Sequence, residues 1–480
     1  MIHKRRYRIF LCAICLALSA WPAAAKPQVF HPRTLLGGEY WGTVPKEGYL
    51  DYVGAVKADL LHGALLGPEL CSSIYGAGKL AGITQVYPPV GTVKEYLTWW
   101  RTFNAEAHKR GVKVQATFSL TYVWGDQEQH TGFFKYYNDL DERTLLPIER
   151  WGKGENYLWY SSPIPIYLSD LKKGVLGDSA LDGRVLRAMA GDNAFELLKY
   201  DYFRWRVVTA ESLAQGGICF GAWEGGWSGG QDREQPNHLQ TYYQFIRDND
   251  RYLNPRQRES YAEVALIYPR QALFAGDATF FGPFRDIGRA LLTGHVLFDV
   301  IIDQKMTLAD LTKHRVVIVF PHQVTEAQRQ MLGRYVEAGG KVIVHDAHLV
   351  DGSANLEGDV SNRESTARKI AEFAGIPFST FDAPWTVEVY TDRQPQAKRV
   401  LVHFVNFNRD ESQAQKELPI AAAPVKVDLR LPAGFKVAGV RFLTPEVKGT
   451  QQVKFTQHDD RVQFTTPGYL VYGLVVIQGK

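Results

Sequence analysis

The clearest hydrophobic pattern in the chain lies between residues 261 and 347. Short continuous apolar runs, typical of strands buried on both faces, occupy residues 262–269, 298–302, 316–321 and 341–347. Apolar residues at helical spacing separate these runs at 284–294 and 325–340. The second helix is predicted to begin with a capping box of Thr325 and Gln328 and to end at a pair of glycines. Strands that alternate with helices predict a parallel sheet.

The preceding region, residues 27–258, also alternates between the two patterns. Runs that resemble strands, most of them ending at polar or glycine residues, occupy 34–41, 58–66, 112–120, 183–191 and 216–226. Helical spacing is found at 93–111, 203–217 and 238–253. A helix, a glycine stop and then a buried strand are typical of (β/α) barrels. We therefore expect a trimmed barrel, with a doubly wound open sheet as the alternative.

The last region, residues 385–480, changes character. After a predicted helix at 365–378, short alternating strands occupy 400–408, 425–432, 437–445, 461–467 and 469–478. Their regular spacing predicts a small antiparallel β-sandwich. The fold class is thus α/β, with a barrel-like domain at 27–258, an amidotransferase-like or flavodoxin-like α/β domain at 259–380 and a sandwich at 385–480.

The amino terminus has the pattern of a secretory signal. Four basic residues between positions 4 and 8 precede an apolar run at 9–21 and then Pro22, Ala23, Ala24 and Ala25. The run is shorter than the roughly 20 residues that cross a bilayer. We expect a signal peptide at 1–25, a periplasmic or secreted protein, and no membrane anchor after cleavage.

Charge and cysteine content exclude several classes of protein. The net charge of +4 is small for 480 residues and gives no support for nucleic-acid binding. Cys71 and Cys219 are the only cysteines beyond the signal, and they form either a disulfide or two separate buried thiols. No zinc-ligand spacing, phosphate loop or Gly-X-Ser-X-Gly elbow is found. We expect no metal and no cofactor.

Acidic residues next to aromatic ones follow several of the strand-like runs. In barrels, reactive groups stand at the carboxyl ends of strands. Asp192 follows the run at 183–191, and Glu224 stands between Trp223 and Trp227 in the run at 216–226. Further candidates with aromatic neighbours are Glu39 with Trp41 and Asp126 with Trp124, and His62 is a minor candidate for contact with a sugar hydroxyl. Indole faces suit sugar stacking, although tryptophans also fill large cores.

Residues 311–344 resemble the middle domain of family 42 of the glycoside hydrolases, the β-galactosidase type. The shared pattern is a strand VVIVFP, a Thr-capped helix, and Tyr335, Gly339 and Gly340 before the next strand. In that family an amidotransferase-like domain without its nucleophilic cysteine follows a catalytic barrel and precedes a β domain. The segment 259–380 likewise contains no cysteine.

The resemblance implies roles for residues of the preceding region. By strand order, Asp192 takes the place of the family's nucleophile, and Arg204 takes the place of an arginine at the sugar subsite. The Asn-Glu pair that supplies the family's acid/base has no counterpart between Trp124 and Leu171. The middle domain of the family forms trimers, which implies a homo-oligomer.

A glycosidase needs two carboxyl groups at the bond it cleaves. We expect an exported glycoside hydrolase of a polysaccharide or oligosaccharide, with Asp192 and Glu224 as catalytic residues. The residues expected to bind the carbohydrate are Trp223, Trp227, Trp124, Glu39, Trp41, His62, Asp126 and Arg204. The alternative is a catalytically inactive carbohydrate-binding or assembly protein of the same architecture.

Overall fold

The computed structural model describes residues 32–37, 49–66, 93–118, 157–162, 178–191, 194–199, 205–222, 236–322, 324–410, 412 and 418–480. The strands of the first region are β1 (Thr34–Gly37), β2 (Leu60–Leu66), β3 (Lys113–Phe118), β4 (Tyr157–Ser162), β5 (Ala194–Lys199) and β6 (Cys219–Ala222). Its helices are α1 (Tyr49–Val56), α2 (Val93–Lys109), α3 (Asp178–Ala190), α4 (Trp205–Gln215), α5 (Pro236–Asp248) and α6 (Asp250–Leu253).

All the strand pairs described in the first region are parallel. One sheet has the order β3-β2-β1-β6, and β4 pairs with β5 in a second ladder. The first strand therefore lies between the second and the sixth, with Leu35 paired to Leu60 on one side and to Phe220 on the other. The two ladders meet where the amide of Ile218, just before β6, donates to the carbonyl of Phe195 in β5 at 2.8 Å.

Polar side chains form hydrogen bonds with the backbone of β1 beside both of its neighbouring strands. A carboxylate oxygen of Asp59, just before β2, accepts from the amides of Arg33 and Thr34 at 2.8 and 3.0 Å. From α5, the buried Tyr243 hydroxyl lies 2.6 Å from the Leu35 carbonyl of β1 and 3.1 Å from the Cys219 carbonyl of β6. These contacts fix β1 between its two neighbours, because buried backbone oxygens need hydrogen-bond donors.

The prediction of a strand at 183–191 is wrong, because these residues belong to helix α3. The physical reason is the spacing of the apolar positions. Leu181, Arg184 and Leu186 are buried, whereas Asp182, Val185 and Arg187 are half-buried, as on a helix packed along one side. Gly191 follows with φ of +59° and ends the helix in the left-handed conformation.

The middle region has an open parallel sheet of five strands in the order β12-β11-β10-β8-β9. They are β8 (Val264–Tyr268), β9 (Phe298–Ile302), β10 (Val316–Val319), β11 (Lys341–His345) and β12 (Ala354–Leu356), after a short β7 (Glu259–Ser260). The helices are α7 (Arg270–Phe274), α8 (Phe281–Thr293), α9 (Leu308–Leu311), α10 (Glu326–Glu337) and α11 (Arg363–Ala374). The predicted parallel sheet and the capping box of Thr325 and Gln328 are confirmed.

Both faces of this sheet are packed, which explains its continuous apolar runs. Along β8, Val264 and Leu266 face one core, which also contains residues of α3, α8 and α11. Ala265 and Ile267 face the other core, which contains Leu332 of α10. Alternate side chains of a strand point to opposite faces. A strand that is covered on both faces is therefore apolar at successive positions.

The last region consists of two antiparallel sheets. Their strands are β13 (Thr380–Asp382), β14 (Val387–Gln394), β15 (Arg399–Asn406), β16 (Lys426–Arg430), β17 (Val437–Thr444), β18 (Val447–Val453), β19 (Phe455–His458), β20 (Arg461–Thr465) and β21 (Tyr472–Gly479). The orders are β18-β17-β21-β15-β14-β7 and β13-β16-β20-β19. Buried residues of both sheets form a shared core, as predicted for a sandwich.

The six-stranded sheet is also covered on its other face. Val400, Val402 and Phe404 of β15 face the sandwich core, whereas Leu401 and Val405 face the core that contains α4 and α5. This second cover joins the first region to the sandwich, and the residues from Pro32 to Lys480 form one compact unit. Among the described helices, none has the length and apolar character needed to cross a membrane.

Candidate functional site at the strand ends

Strands β1 and β6 pair in parallel, so their carboxyl ends lie at the same edge of the first region. Strand β5 meets the start of β6 through the hydrogen bond from Ile218 to Phe195. The final strand residues are Gly37, Lys199 and Ala222. The chain has an acidic residue two positions after each of them, namely Glu39, Asp201 and Glu224. Three neighbouring strands thus lead into a carboxylate at the same offset, at the end where parallel α/β folds place their ligands.

Most of the residues predicted for the site lie outside the described residues, and their roles stay predictions. They are Asp192, Glu224, Trp223, Trp227, Trp124, Glu39, Trp41, Asp126 and Arg204. His62 lies in β2, where its backbone pairs with Gln115 of β3, and its side chain is outside the described part.

The sequence context assumed for Asp192 needs correction. This residue was expected to follow a strand, but helix α3 ends at Ala190 and strand β5 begins at Ala194. Asp192 therefore precedes β5 in the chain and does not follow a strand. Its predicted catalytic role loses the positional reason on which it was based.

Asp201 follows strand β5, which the sequence analysis missed. Strand β5, with the sequence AFELLK, is a short run that contains a glutamate and a lysine, and its alternation is too weak to mark a strand by itself. Its position after a glycine-terminated helix was the available signal, because that order recurs before β3 and β6.

Cys219, in the first position of β6, is a free buried thiol, so the possible disulfide with Cys71 is absent. Its Sγ donates to the Thr209 carbonyl of α4 at 3.6 Å. Burial raises the pKa of this thiol to about 12, so it stays protonated and unreactive. Cys219 is part of the core under the strand ends.

A buried ionic cluster fixes helix α4, which leads into β6. The side chain of Arg258 is fully buried and donates to the carbonyls of Leu213 and Ala214 at the end of α4, at 3.2 and 3.1 Å. Its Nε lies 3.2 Å from Oδ2 of Asp392 in β14. Burial alone would raise the pKa of Asp392, but the charge of Arg258, followed by that of Arg187, holds it well below its usual range.

His403 of β15 completes this cluster in its neutral form. Its Nε2 lies 3.3 Å from Oδ2 of Asp392, and its Nδ1 lies 2.7 Å from the hydroxyl of Tyr472. Burial and the charge of Arg258 lower the pKa of His403 to about 4. The cluster thus has a structural role, in which it ties α4 to the six-stranded sheet.

A second carboxyl group is buried against α4 and α5. Glu446, in the turn between β17 and β18, accepts hydrogen bonds from the hydroxyls of Tyr242 and Thr444. Burial raises its pKa, and Arg206 of α4 lowers it by a smaller amount. Among the described residues, no three His, Cys, Asp or Glu side chains are placed to bind a metal ion.

No protein-family model matches the chain, and a search of curated proteins finds no similar sequence. A search of solved structures finds matches with TM-scores below 0.5. The α-L-fucosidase isoenzyme 2 of Paenibacillus thiaminolyticus has a TM-score of 0.46 and 13% identity, over 90% of this chain and 80% of that protein. The β-galactosidase of Rahnella sp. R3 has a TM-score of 0.44 and 11% identity, over 86% and 73%. The GH42 exo-carrageenase of Bacteroides ovatus has a TM-score of 0.38 and 10% identity, over 62% and 44%.

Proposed function

We propose that this protein is a glycoside hydrolase whose catalytic carboxyl groups are Asp201 and Glu224. The observation that carries the proposal is the shared offset of these acids, each two residues beyond the end of its strand. The two strands, β5 and β6, are joined by the hydrogen bond from the Ile218 amide to the Phe195 carbonyl. Glu39 has the same offset from β1, which pairs with β6 on the other side. The substrate would be a polysaccharide or oligosaccharide.

The strand order supports a closed barrel for the first region. With the hydrogen bond between Ile218 and Phe195, the described strands run in the order β3-β2-β1-β6-β5-β4. In a doubly wound sheet of the 3-2-1-4-5-6 type, the strands next to the first are the second and the fourth. In a closed barrel, they are the second and the last. Closure would occur between β3 and β4, and it would turn the carboxyl ends of all six strands toward one opening.

The spacing of neighbouring strands favours a retaining mechanism. Adjacent strands lie about 4.8 Å apart, so carboxyl groups at matching positions would be about 5 Å apart. This separation is typical of retaining glycosidases, in which one carboxylate attacks the sugar and the other protonates the leaving oxygen, whereas about 6.5 to 9.5 Å is typical of inverting ones. Trp223, Trp227 and Trp124 would form the stacking surfaces for sugar rings.

The test is hydrolysis of a panel of aryl glycosides and polysaccharides by the purified protein and three variants. Asp201→Asn and Glu224→Gln are each expected to lower kcat by at least about a hundredfold, because general acid/base or nucleophilic help is lost. Asp192→Asn is the matched control, since it removes a carboxylate at the amino side of the same strand. Whichever of Asp201 and Glu224 is the nucleophile, replacing it with a small side chain should allow azide to restore turnover.

Two results would sink the proposal. One is full activity in both the Asp201→Asn and the Glu224→Gln proteins. The other is loss of activity in Asp192→Asn alone, which would restore the first assignment of the catalytic acid.

The second candidate function is carbohydrate binding without hydrolysis. It is favoured by the missing Asn-Glu pair between Trp124 and Leu171, which family 42 enzymes use as acid/base. A protein that binds an oligosaccharide in calorimetry but turns over none of the panel would select this candidate.

We also propose that the chain is exported and acts outside the cytoplasm. The basic residues, apolar run and alanine-rich segment before Lys26 support this location. Amino-terminal sequencing of the protein from cells should begin at Lys26, and an intact Met1 terminus on the folded protein would contradict export.

A further inference from the structure

A cavity of about 640 Å³ lies where the three regions of the chain meet. Arg184 and Arg187 of α3 line one side, and Asp299 of the edge strand β9 lines another. The segment after α9 contributes His314, and β14 of the sandwich contributes Arg393. Small-molecule sites occur preferentially at such junctions between domains, and their volumes run from about 300 to 1,000 Å³.

The carboxylates that line this cavity already have partners within it. Glu259 lies 3.0 Å from Arg393, Asp310 lies 2.8 Å from Lys313, and Asp299 accepts from Ser260 at 2.6 Å and lies 3.1 Å from His314. None of these three acids is within ion-pair distance of Arg184 among the described residues. The acidic groups of the lining therefore leave Arg184 without a carboxylate partner among them, whereas Arg187 pairs with Asp392 and is also attracted by Asp299.

Arg184 is the unusual member of the lining. It is 8% exposed, and its guanidinium lies between the rings of Phe298 and Tyr390, 4.3 Å from each centroid. Its Nε is buried without a hydrogen-bond partner. The described ion pairs include no carboxylate for this side chain. A buried cation without an anionic partner is costly, and a guanidinium between two rings has only its N–H edge available for a ligand.

Burial raises the pKa of the Tyr390 hydroxyl, and two buried carboxylates lie close enough to raise it further. Both carboxylates are bonded to other groups. Glu388 accepts a hydrogen bond from the Tyr390 hydroxyl, and Glu211 accepts one from Gln215 at 3.3 Å. Arg187, one turn along α3 from Arg184, lies 3.1 Å from Asp392. Asp392 is already shared with Arg258 and His403, so one negative charge faces two arginines there.

We propose that this cavity is a binding site for a small oxyanion, held by Arg184 and Arg187. Residues three apart on a helix share one face, so both guanidinium groups reach the same ligand. A phosphate, a sulfate or a sugar carboxylate has the paired oxygens that match the N–H fork of arginine. Such a ligand would supply the anionic partner that Arg184 lacks.

The site is independent of the proposed glycosidase centre. Gly191, which precedes the amino end of β5, lines the cavity. Asp201 follows the opposite end of the same strand. Oxyanion binding therefore needs no turnover, and either assignment can fail without the other.

The experiment measures binding of phosphate, sulfate and glucuronate to the purified protein by calorimetry and thermal unfolding. Sodium chloride at equal ionic strength controls for screening, and glucose controls for sugar binding without charge. We expect saturable binding of one oxyanion per chain with a rise in Tm beyond that in chloride. Preference for phosphate or sulfate would indicate a free inorganic ligand, and preference for glucuronate would indicate an acidic sugar. The absence of binding by all three oxyanions would overturn the proposal.

Variants assign the ligand to Arg184. Arg184→Gln is expected to weaken binding by about tenfold or more, because a hydrogen bond to a charged group is lost. Arg393→Gln is the matched control, since that arginine lines the same cavity but is paired with Glu259. Equal losses in both variants would mean general charge attraction and would overturn the assignment.

A third variant covers the case in which Arg184→Gln does not fold. Thr312 is an exposed residue of the cavity lining. Thr312→Trp would narrow the cavity and leave both arginines of α3 in place. It is expected to abolish the oxyanion-dependent rise in Tm, and an unchanged rise would contradict binding in this cavity.

Discussion

The two parallel sheets of this protein use the same local unit and differ in which strands flank the first one, namely β9 and β10 around β8 but β2 and β6 around β1. In the middle region the order β12-β11-β10-β8-β9 leaves β9 and β12 as edges. In the first region β1 has a neighbour on each side, and one of them is the last described strand of that region, β6. The comparison shows that similar helix and strand content can accompany different strand orders, and in the proposed barrel this order would gather the carboxyl ends around one opening.

The two sheets also differ in the residues found just beyond their strands. In the first region three adjacent strands lead into Glu39, Asp201 and Glu224 at one offset. In the middle region the residues at the same offset beyond the five strands include no acid, and they are Arg270, Gln304, Pro321, Ala347 and Gly358. A parallel sheet by itself therefore does not indicate hydrolysis, and the acids at the ends of its strands carry the proposal.

The largest expected effect concerns the cluster that joins the first region to the sandwich. Arg258→Met leaves the carboxylate of Asp392 buried with weaker compensation and frees the last carbonyls of α4. We expect a loss of about 3 to 5 kcal/mol in the free energy of unfolding, as for other broken buried ion pairs. Urea denaturation measures this loss.

The control for Arg258 is Arg393→Met. Arg393 lies 3.0 Å from Glu259 in a half-exposed pair, and such pairs contribute about 0 to 1 kcal/mol. Similar losses in both variants would mean that the buried cluster does not hold the two regions together.

The second prediction concerns the pH dependence of the same cluster. The pKa of His403 is about 4 in the folded protein, and about 6.5 is its ordinary value. Below pH 6.5 the unfolded chain therefore binds a proton that the folded protein does not, so stability falls as the pH drops toward 4. His403→Gln should flatten this fall, and denaturation midpoints measured between pH 7 and 4.5 would show it.

Other buried titrating groups also contribute to the pH dependence of stability. Burial also lowers the pKa of His295 and His345, and they contribute a fall of the same sign. The lowered pKa of Asp392 acts at lower pH, where its carboxylate stabilises the fold until it is protonated. An unchanged slope in His403→Gln would show that His403 is not the main titrating group.

The third prediction contrasts two glycines within helices of the two regions. A Cβ at Gly183 of α3 would lie 2.2 Å from Oε1 of Gln215, a buried side chain of α4. Gly183→Ala should cost about 1 to 3 kcal/mol through overpacking. A Cβ at Gly333 of α10 meets nothing within 4 Å, and Gly333→Ala should stabilise by about 0.5 to 1 kcal/mol. Thermal unfolding of both variants gives the signs, and stabilisation by Gly183→Ala would contradict the close packing of α3 on α4.

The middle sheet was predictable because each of its strands is covered on both faces. Val264 and Leu266 face one core and Ala265 and Ile267 face the other, so the chain is apolar throughout β8. The capping box was also predictable, because it depends on only two side chains, Thr325 and Gln328.

The first region was less predictable, because its sheet depends on pairing between strands that are far apart in sequence. Helix α3 contains Val185, Leu186 and Met189 in a short window, and a window of this length fits a strand as well as a helix. That error made Asp192 appear to follow a strand. No pattern within one element could reveal that β1 pairs with β6, because the two strands are far apart in sequence and meet only through the fold.

The smallest expected effect is at the capping box of the middle sheet, where local sequence and structure agree. The Thr325 hydroxyl accepts from the Gln328 amide at 3.3 Å, and the Gln328 side chain accepts from the Thr325 amide at 2.9 Å. Thr325→Ala should cost about 1 kcal/mol, because an amide at the start of α10 loses its acceptor. Gln330→Ala, on the exposed face of the same helix, is the control and should leave the free energy of unfolding nearly unchanged. Equal effects in the two variants would mean that helix propensity along α10 stabilises the helix more than its capping box does. The correct prediction of this helix would then not depend on the capping box.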